Sequence, residues 1–231
     1  MFIWYIMVRM IKAILLDVDD TLLDFEACSI WAMNQAAIQC GIEEKKEMYI
    51  TFKRINDALW YELELGKIQR QDIFDTRWNR IFKELDIDYD GIAFEKEFIK
   101  YLHTSHIPVH HASEIINYLK SKYDLYIISN ALYNEQVHRL YKAGLLNCFK
   151  GVFVSELSGY TKPDPQFFQY CLEKSGLTER DCIVIGDSLH ADMQGAIRSG
   201  IKTIWYNPHR KKSELNIDYE IQDLLEIKEI I

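Results

Sequence analysis

The chain has 231 residues, 48% hydrophobic and 27% charged, with a net charge of -8. It is long for one small domain and short for two full ones, and its acidic balance speaks against a nucleic-acid polymer as partner, which calls for an excess of Lys and Arg. The five cysteines (Cys28, Cys40, Cys148, Cys171 and Cys182) have no paired spacing, so they read as thiols in a reducing compartment, not as a disulfide framework or a zinc site.

At the start, Phe2 to Val8 is an apolar run too short to span a bilayer, with Arg9 and Lys12 following and no small-residue cleavage site. It reads as a short segment ahead of a second start at Met10. No other stretch approaches a transmembrane length, so the expectation is a cytoplasmic protein with no membrane partner. Ile11 to Leu16 is a continuous apolar run, as in a strand buried on both faces.

From Phe25 to Tyr101 there is no proline and no strand-like run, and apolar residues recur at helical spacing. Ile55, Leu59 and Tyr61–Leu63 are one set. Ile73, Phe74, Arg77, Trp78, Ile81, Phe82 and Leu85 are another. The aromatics Trp60, Tyr61, Phe74, Trp78 and Phe82 are expected mainly in the core of a helical bundle.

After Pro108 strands and helices alternate. Ala112 to Ser121 predicts a helix, "DLYIISN" a strand ending at Ser129–Asn130, and Glu135 to Ala143 a helix stopped by Gly144. "GVFVS" reads as a strand. Asp164 caps a helix with Pro165 at its first position. "CIVIGD" is a strand, Ala191 to Ser199 a helix stopped by Gly200, and "KTIWYN" a strand. "YEIQDLLEIKEII" predicts a closing helix. The fold class expected is α/β: a Rossmann-like, doubly wound parallel sheet with an inserted α-helical cap. The core is assigned to residues 1–23 and 107–231 and the cap to 24–106.

The reactive residues fall at one edge of that sheet. The first strand ends in "DVDDT", with Asp17 and Asp19 at i and i+2. The second ends in Ser129–Asn130, the loop "GYTKPDP" carries Lys162, and the fourth strand ends in "GDSLHAD", with Asp187 and Asp192. Neighbouring carboxylates repel and raise one another's pKa, so they call for a counter-charge. Oxygen ligands without His or Cys suit Mg²⁺, and a cation, a lysine, a hydroxyl and an amide together suit a phosphoryl group. Alone, each signal has a plainer reading: Ser129–Asn130 as a turn or cap, Lys162 as an exposed loop lysine, Asp187 as a helix cap. His110–His111 have no partner ligands close in sequence and read as surface or helix-start residues. "HRKKS" (His209 to Ser213) reads as a solvated loop.

Taken in order, "DVDDT", "YIISN", "TKPDP" and "GDSLHAD" resemble the four motifs of the haloacid dehalogenase superfamily. The helical insert between the first two resembles its small-substrate branch with a helical cap. "GDSLHADMQGA" followed by "GIKTIWYNP" is similar to pyrimidine and noncanonical-nucleotide 5'-nucleotidases. The resemblance implies Asp17 as nucleophile through an aspartyl-phosphate and Asp19 as general acid and base. It implies Mg²⁺ on Asp17, Asp187 and the Asp19 carbonyl, and Asp192 behind them. Lys162 would tie nucleophile to phosphate, and Ser129 and Asn130 would hold phosphate oxygens. The implied activity is a phosphomonoesterase acting on a small molecule, a nucleoside 5'-monophosphate first of all, in a monomer or homodimer. The alternatives are a phosphatase or mutase for sugar phosphates or phosphoglycolate, and a phospho-receiver-like signalling module. One departure stands out: Ala131 follows Asn130 where the family often has glycine.

Overall fold

The computed structural model describes residues 11–43 and 45–231, so the reading of Phe2 to Val8 lies outside the described residues. In chain order the elements are β1 (Ala13–Leu16), α1 (Phe25–Cys40), α2 (Met48–Glu64), α3 (Arg70–Leu85), α4 (Gly91–Leu102), α5 (Ala112–Leu119), β2 (Asp124–Ser129), α6 (Tyr133–Lys142), β3 (Gly151–Val154), α7 (Ser155–Ser158), α8 (Pro165–Ser175), β4 (Cys182–Gly186), α9 (Gly195–Arg198), β5 (Lys202–Tyr206) and β6 (Tyr219–Ile221). They divide into two compact units. One holds the described residues up to Leu23 with Pro108–Val137 and Gly144–Ile231; the other holds Asp24–Ile107 and His138–Ala143.

The first unit is built on a six-stranded sheet of order β3-β2-β1-β4-β5-β6, parallel throughout. This is the doubly wound arrangement predicted. β1 is buried along its whole length, and so is β4, which explains their unbroken apolar runs: helices cover both faces of such a sheet. Leu16 pairs with Ile127 on one side and Ile185 on the other. The strand order turns back between β1 and β4, and ligands of open α/β sheets bind at such a point, outside the carboxyl ends.

Two elements differ from expectation. The closing helix is absent: Tyr219–Ile221 pairs with Ile204–Tyr206 as a sixth strand, and only Leu224–Glu229 coils, as a 3₁₀ turn. The free edge of β5 outweighed the helical pattern, and Asp218 fixes the start by accepting from Thr203 N and Oγ1 at 2.9 and 3.0 Å. The helix predicted from Ala191 starts instead as a π-helical turn over Leu189–Gln194.

The second unit is a bundle of α1 to α4. Asp24 caps α1 by accepting from Ala27 N at 2.8 Å, and Gln69 and Asp72 form a reciprocal capping box on α3. The aromatic core is Phe52, Trp78, Phe82, Phe94 and Phe98, with the Trp78 and Phe94 rings 4.4 Å apart. Trp60 and Phe74 pack at its margin, whereas Tyr61, expected inside, is exposed. Arg77 is buried in this core. Its guanidinium donates to Glu95 at 2.6 and 3.2 Å and to Asn56 at 2.7 Å, which satisfies a cation that could not otherwise be enclosed. Arg139 Nε donates to Ser105 O at 3.1 Å within the same unit.

Candidate active site

The first acidic turn is shaped by its backbone. Asp17 N donates to Ile185 O at 3.0 Å, which prolongs the β1–β4 ladder by one residue. The N–H groups of Thr21, Leu22 and Leu23 then converge on Val18 O. Asp20 takes a left-handed conformation, φ 60°, one that Asp tolerates better than most residues. This tight coil places Asp17 and Asp19 at the strand end.

The fourth motif is shaped by a π turn. Ser188 caps it by accepting from Ala191 N at 3.0 Å, and Asp192 N and Met193 N both donate to Ser188 O at 3.1 Å. Such turns recur at functional sites. A Cβ on Gly186 would overlap the Asp192 carboxylate, so the glycine of "GDSLHAD" is a packing requirement. Trp205 Nε1 donates to Asp187 O at 2.8 Å and fixes that residue's main chain.

Lys162 joins the two turns. Its ammonium donates to Asp17 Oδ1 and Asp192 Oδ1, both at 2.6 Å, and to Ile128 O at 3.1 Å. All three ammonium protons are placed, and the side chain is buried, unlike the exposed loop lysine that its position alone suggests. Asp192 is occupied on both oxygens, the second by Ser188 N at 3.1 Å. Asp17, Asp187 and Asp192 each bring a carboxylate oxygen within 4.8 Å of the others, and Thr21 Oγ1 lies 3.4 Å from Asp187 Oδ1.

The Asn130 side chain, expected near phosphate, is bonded to the lysine loop. Its amide donates to Lys162 O at 3.0 Å and accepts from Lys162 N at 2.8 Å. It is a clasp on the lysine loop. The loop also closes without glycine at 131, because Ala131 N donates to Ser129 Oγ at 3.1 Å.

Gln136, on α6, is a residue that the sequence did not single out. It is fully buried, and its Nε2 donates to Asp19 Oδ2 at 2.7 Å and to Ser129 Oγ at 3.1 Å. A carboxylate only accepts, which fixes the amide's orientation. Ser129 Oγ thus accepts twice and keeps its own proton for a further partner.

Burial dominates the electrostatics. It pushes Asp17 up to about 8 against the pull of Lys162, and raises Asp187 well above the carboxylate range, with Asp17 and Asp192 adding to it. Lys162 is itself raised, since its two carboxylate partners outweigh the cost of burial, so it stays charged. One buried ammonium against three clustered carboxylates is a deficit of positive charge, and an oxygen-only set of this kind fits a hard divalent cation.

The profile of haloacid dehalogenase-like hydrolases matches residues 11–200. The HAD-hydrolase YfnB of Bacillus subtilis is 34% identical over 223 residues, 95% of this chain and 95% of its own. The pyrimidine 5'-nucleotidase PynA of Streptococcus pneumoniae is 34% identical over 222 residues, 93% of this chain and 94% of its own. A glyceraldehyde 3-phosphate phosphatase of Pyrococcus furiosus is 27% identical, covering 96% and 94%. The crystal structure of YfnB, bound to magnesium and revealing interdomain movement, superposes with a TM-score of 0.90 over 95% of this chain and 98% of its own. A match that takes in all four motif-bearing strand ends and loops, with such identity along nearly the whole length, makes this chain a member of the haloacid dehalogenase-like hydrolase family.

Proposed function

We propose that the protein is a Mg²⁺-dependent phosphomonoesterase that acts through an aspartyl-phosphate on Asp17, with a nucleoside 5'-monophosphate as substrate. The observation that carries the chemistry is Lys162, held at 2.6 Å from both Asp17 and Asp192. The relatives named as pyrimidine 5'-nucleotidases support the substrate class.

Asp17 and Asp187 would hold the ion by their side chains and Asp19 by its carbonyl. Bound there, Mg²⁺ supplies positive charge against the carboxylates and the phosphate. Lys162 pins one oxygen of Asp17 and leaves the other to attack phosphorus. As the bond from phosphorus to the leaving oxygen breaks, Asp19 gives that oxygen a proton. Asp19 then takes a proton from water, which attacks phosphorus, frees phosphate and restores Asp17. The remaining proton of Ser129 Oγ is available to a phosphate oxygen, and Asn130 acts by positioning Lys162. Asp192 orients Lys162 and Ser188. The helical segment 24–106 is proposed to read the leaving group, and exchanging it for a relative's segment tests that role.

The experiment for the whole reading is a screen of phosphate release over nucleotides, sugar phosphates and phosphoglycolate, with Mg²⁺ and with EDTA. Pyrimidine monophosphates are expected to lead, with no turnover in EDTA. The glyceraldehyde 3-phosphate phosphatases among the relatives favour a second reading, a sugar-phosphate substrate, which the same screen detects. No release from any phosphomonoester would refute both.

A further inference from the structure

We propose a second metal site, for a Zn²⁺-class cation, formed by His110, His111 and Asp223 in the sheet-bearing unit. Asp223 stands 112 residues from His111, so the cluster is invisible in sequence, where the two histidines lack partners. His111 Nδ1 lies 2.9 Å from both oxygens of Asp223, and His110 Nδ1 lies 3.8 Å from Oδ2. One donor atom from each of the three falls within 4.8 Å of the others. Ligand atoms about 2.0–2.1 Å from a tetrahedral Zn²⁺ stand about 3.3 Å apart, a separation that these distances bracket.

The donor chemistry differs from that of the carboxylate cluster. Two imidazoles and one carboxylate suit a borderline cation such as Zn²⁺, whereas the oxygen-only set suits Mg²⁺. The two imidazole rings sit with centroids 3.5 Å apart, an arrangement that two imidazolium charges would oppose and one shared cation would favour. Glu114 is bonded to Lys228 at 2.8 Å, which holds its carboxyl below the usual range, and it also feels the charges of His111 and Asp223. The consequence is a staple. His111 heads α5 and Asp223 heads the 3₁₀ turn Leu224–Glu229, so the ion would tie the final segment to that helix.

The test uses untagged, EDTA-washed protein in excess Mg²⁺, titrated with Zn²⁺ by calorimetry and with Co²⁺ by visible absorption. One Zn²⁺ per chain is expected, with a raised Tm and a tetrahedral Co²⁺ spectrum. His111 occupies a left-handed conformation, φ 64°, which Asn tolerates, so His111→Asn with His110→Asn is the suitable variant. It should weaken Zn²⁺ binding by roughly tenfold or more and leave Mg²⁺-dependent hydrolysis unchanged. In the wild type, Zn²⁺ should protect His110 and His111 from diethylpyrocarbonate, read by peptide mass; this readout needs no variant. Absence of Zn²⁺ binding in Mg²⁺, equal binding by the double variant, or no protection of these two histidines would each overturn the proposal.

Discussion

Gln136 Nε2 lies 2.7 Å from Asp19 Oδ2, a bond between a fully buried residue of α6 and the second acid of the strand-end turn. The same nitrogen holds Ser129 Oγ at 3.1 Å. One amide thereby sets the direction of the proposed proton carrier and of the hydroxyl proposed to meet phosphate. Gln136→Met keeps the volume and removes both bonds. We expect kcat to fall by roughly 10²-fold, the order assigned to a misplaced catalytic group, with a changed pH profile and unchanged Mg²⁺ affinity. A packing role alone would lower stability and leave the pH profile in place.

Metal and proton should compete at the carboxylate cluster. Asp17 is raised to about 8 in the fold from an ordinary 3.8. The folded chain therefore holds a proton that the unfolded chain releases near pH 4. The stability tied to that proton is complete below pH about 4 and is lost as pH rises through about 8. A cation takes the proton's place as counter-charge. The gain in Tm from a fixed MgCl₂ concentration is expected to grow from pH 6 to pH 8, and Asp17→Asn should flatten that trend. Differential scanning fluorimetry at several pH values reads it. A gain independent of pH would contradict this account.

The motifs were legible because their chemistry is local. Asp17 and Asp19 share one strand end, and Asp187 and Asp192 share one turn, so spacing alone brings them to an edge. The strands were legible because parallel strands buried on both faces are apolar without interruption. What stayed hidden depended on distant partners. Gln136 is an ordinary helix residue until the fold brings its amide to Asp19. Asn130 offers an amide that could serve phosphate, and only the position of the Lys162 main chain shows where it bonds. Residues 219–221 read as helix because the open edge of β5 cannot be seen from their pattern. Tyr61 belongs to an apolar cluster in sequence, yet it stands two residues, about 200° of helix rotation, from buried Leu59 and so faces solvent.

Inside the bundle the sensitive contact is polar. Arg77 is buried against the Phe52 and Phe98 rings, 5.3 and 5.1 Å from their centroids, and Glu95 answers its charge. Glu95→Ala leaves an enclosed cation without its carboxylate and should cost about 3–5 kcal/mol. Replacing the pair together, Arg77→Met with Glu95→Leu, should recover most of that loss, since a well-packed apolar pair matches a buried ion pair. Tyr61→Ser, at an exposed position, should change stability by less than about 0.5 kcal/mol. Urea unfolding of the four proteins decides the order.

The two acids of the first turn should fail in different ways. Asp17 is bonded to Lys162, which holds it toward the cluster, whereas Asp19 is bonded to Gln136, which holds it toward Ser129. If Asp17 is the nucleophile, Asp17→Asn removes the attacking oxygen's charge, and no phosphoenzyme should form. Asp19→Asn keeps the nucleophile and removes proton transfer, a contribution of roughly 10²–10⁴-fold. Loss of the acid slows formation of the intermediate, and loss of the base slows its hydrolysis. With a substrate whose leaving group needs no proton, such as an aryl phosphate of low pKa, formation is spared and hydrolysis is not. Asp19→Asn should then accumulate label on Asp17 during a single turnover, while the wild type shows little. Rapid acid quench with ³²P-labelled substrate and peptide mapping reads both variants. A label on any other residue would overturn the assignment of Asp17, and an Asp19→Asn enzyme that turns over at the wild-type rate would remove Asp19 from the proton path.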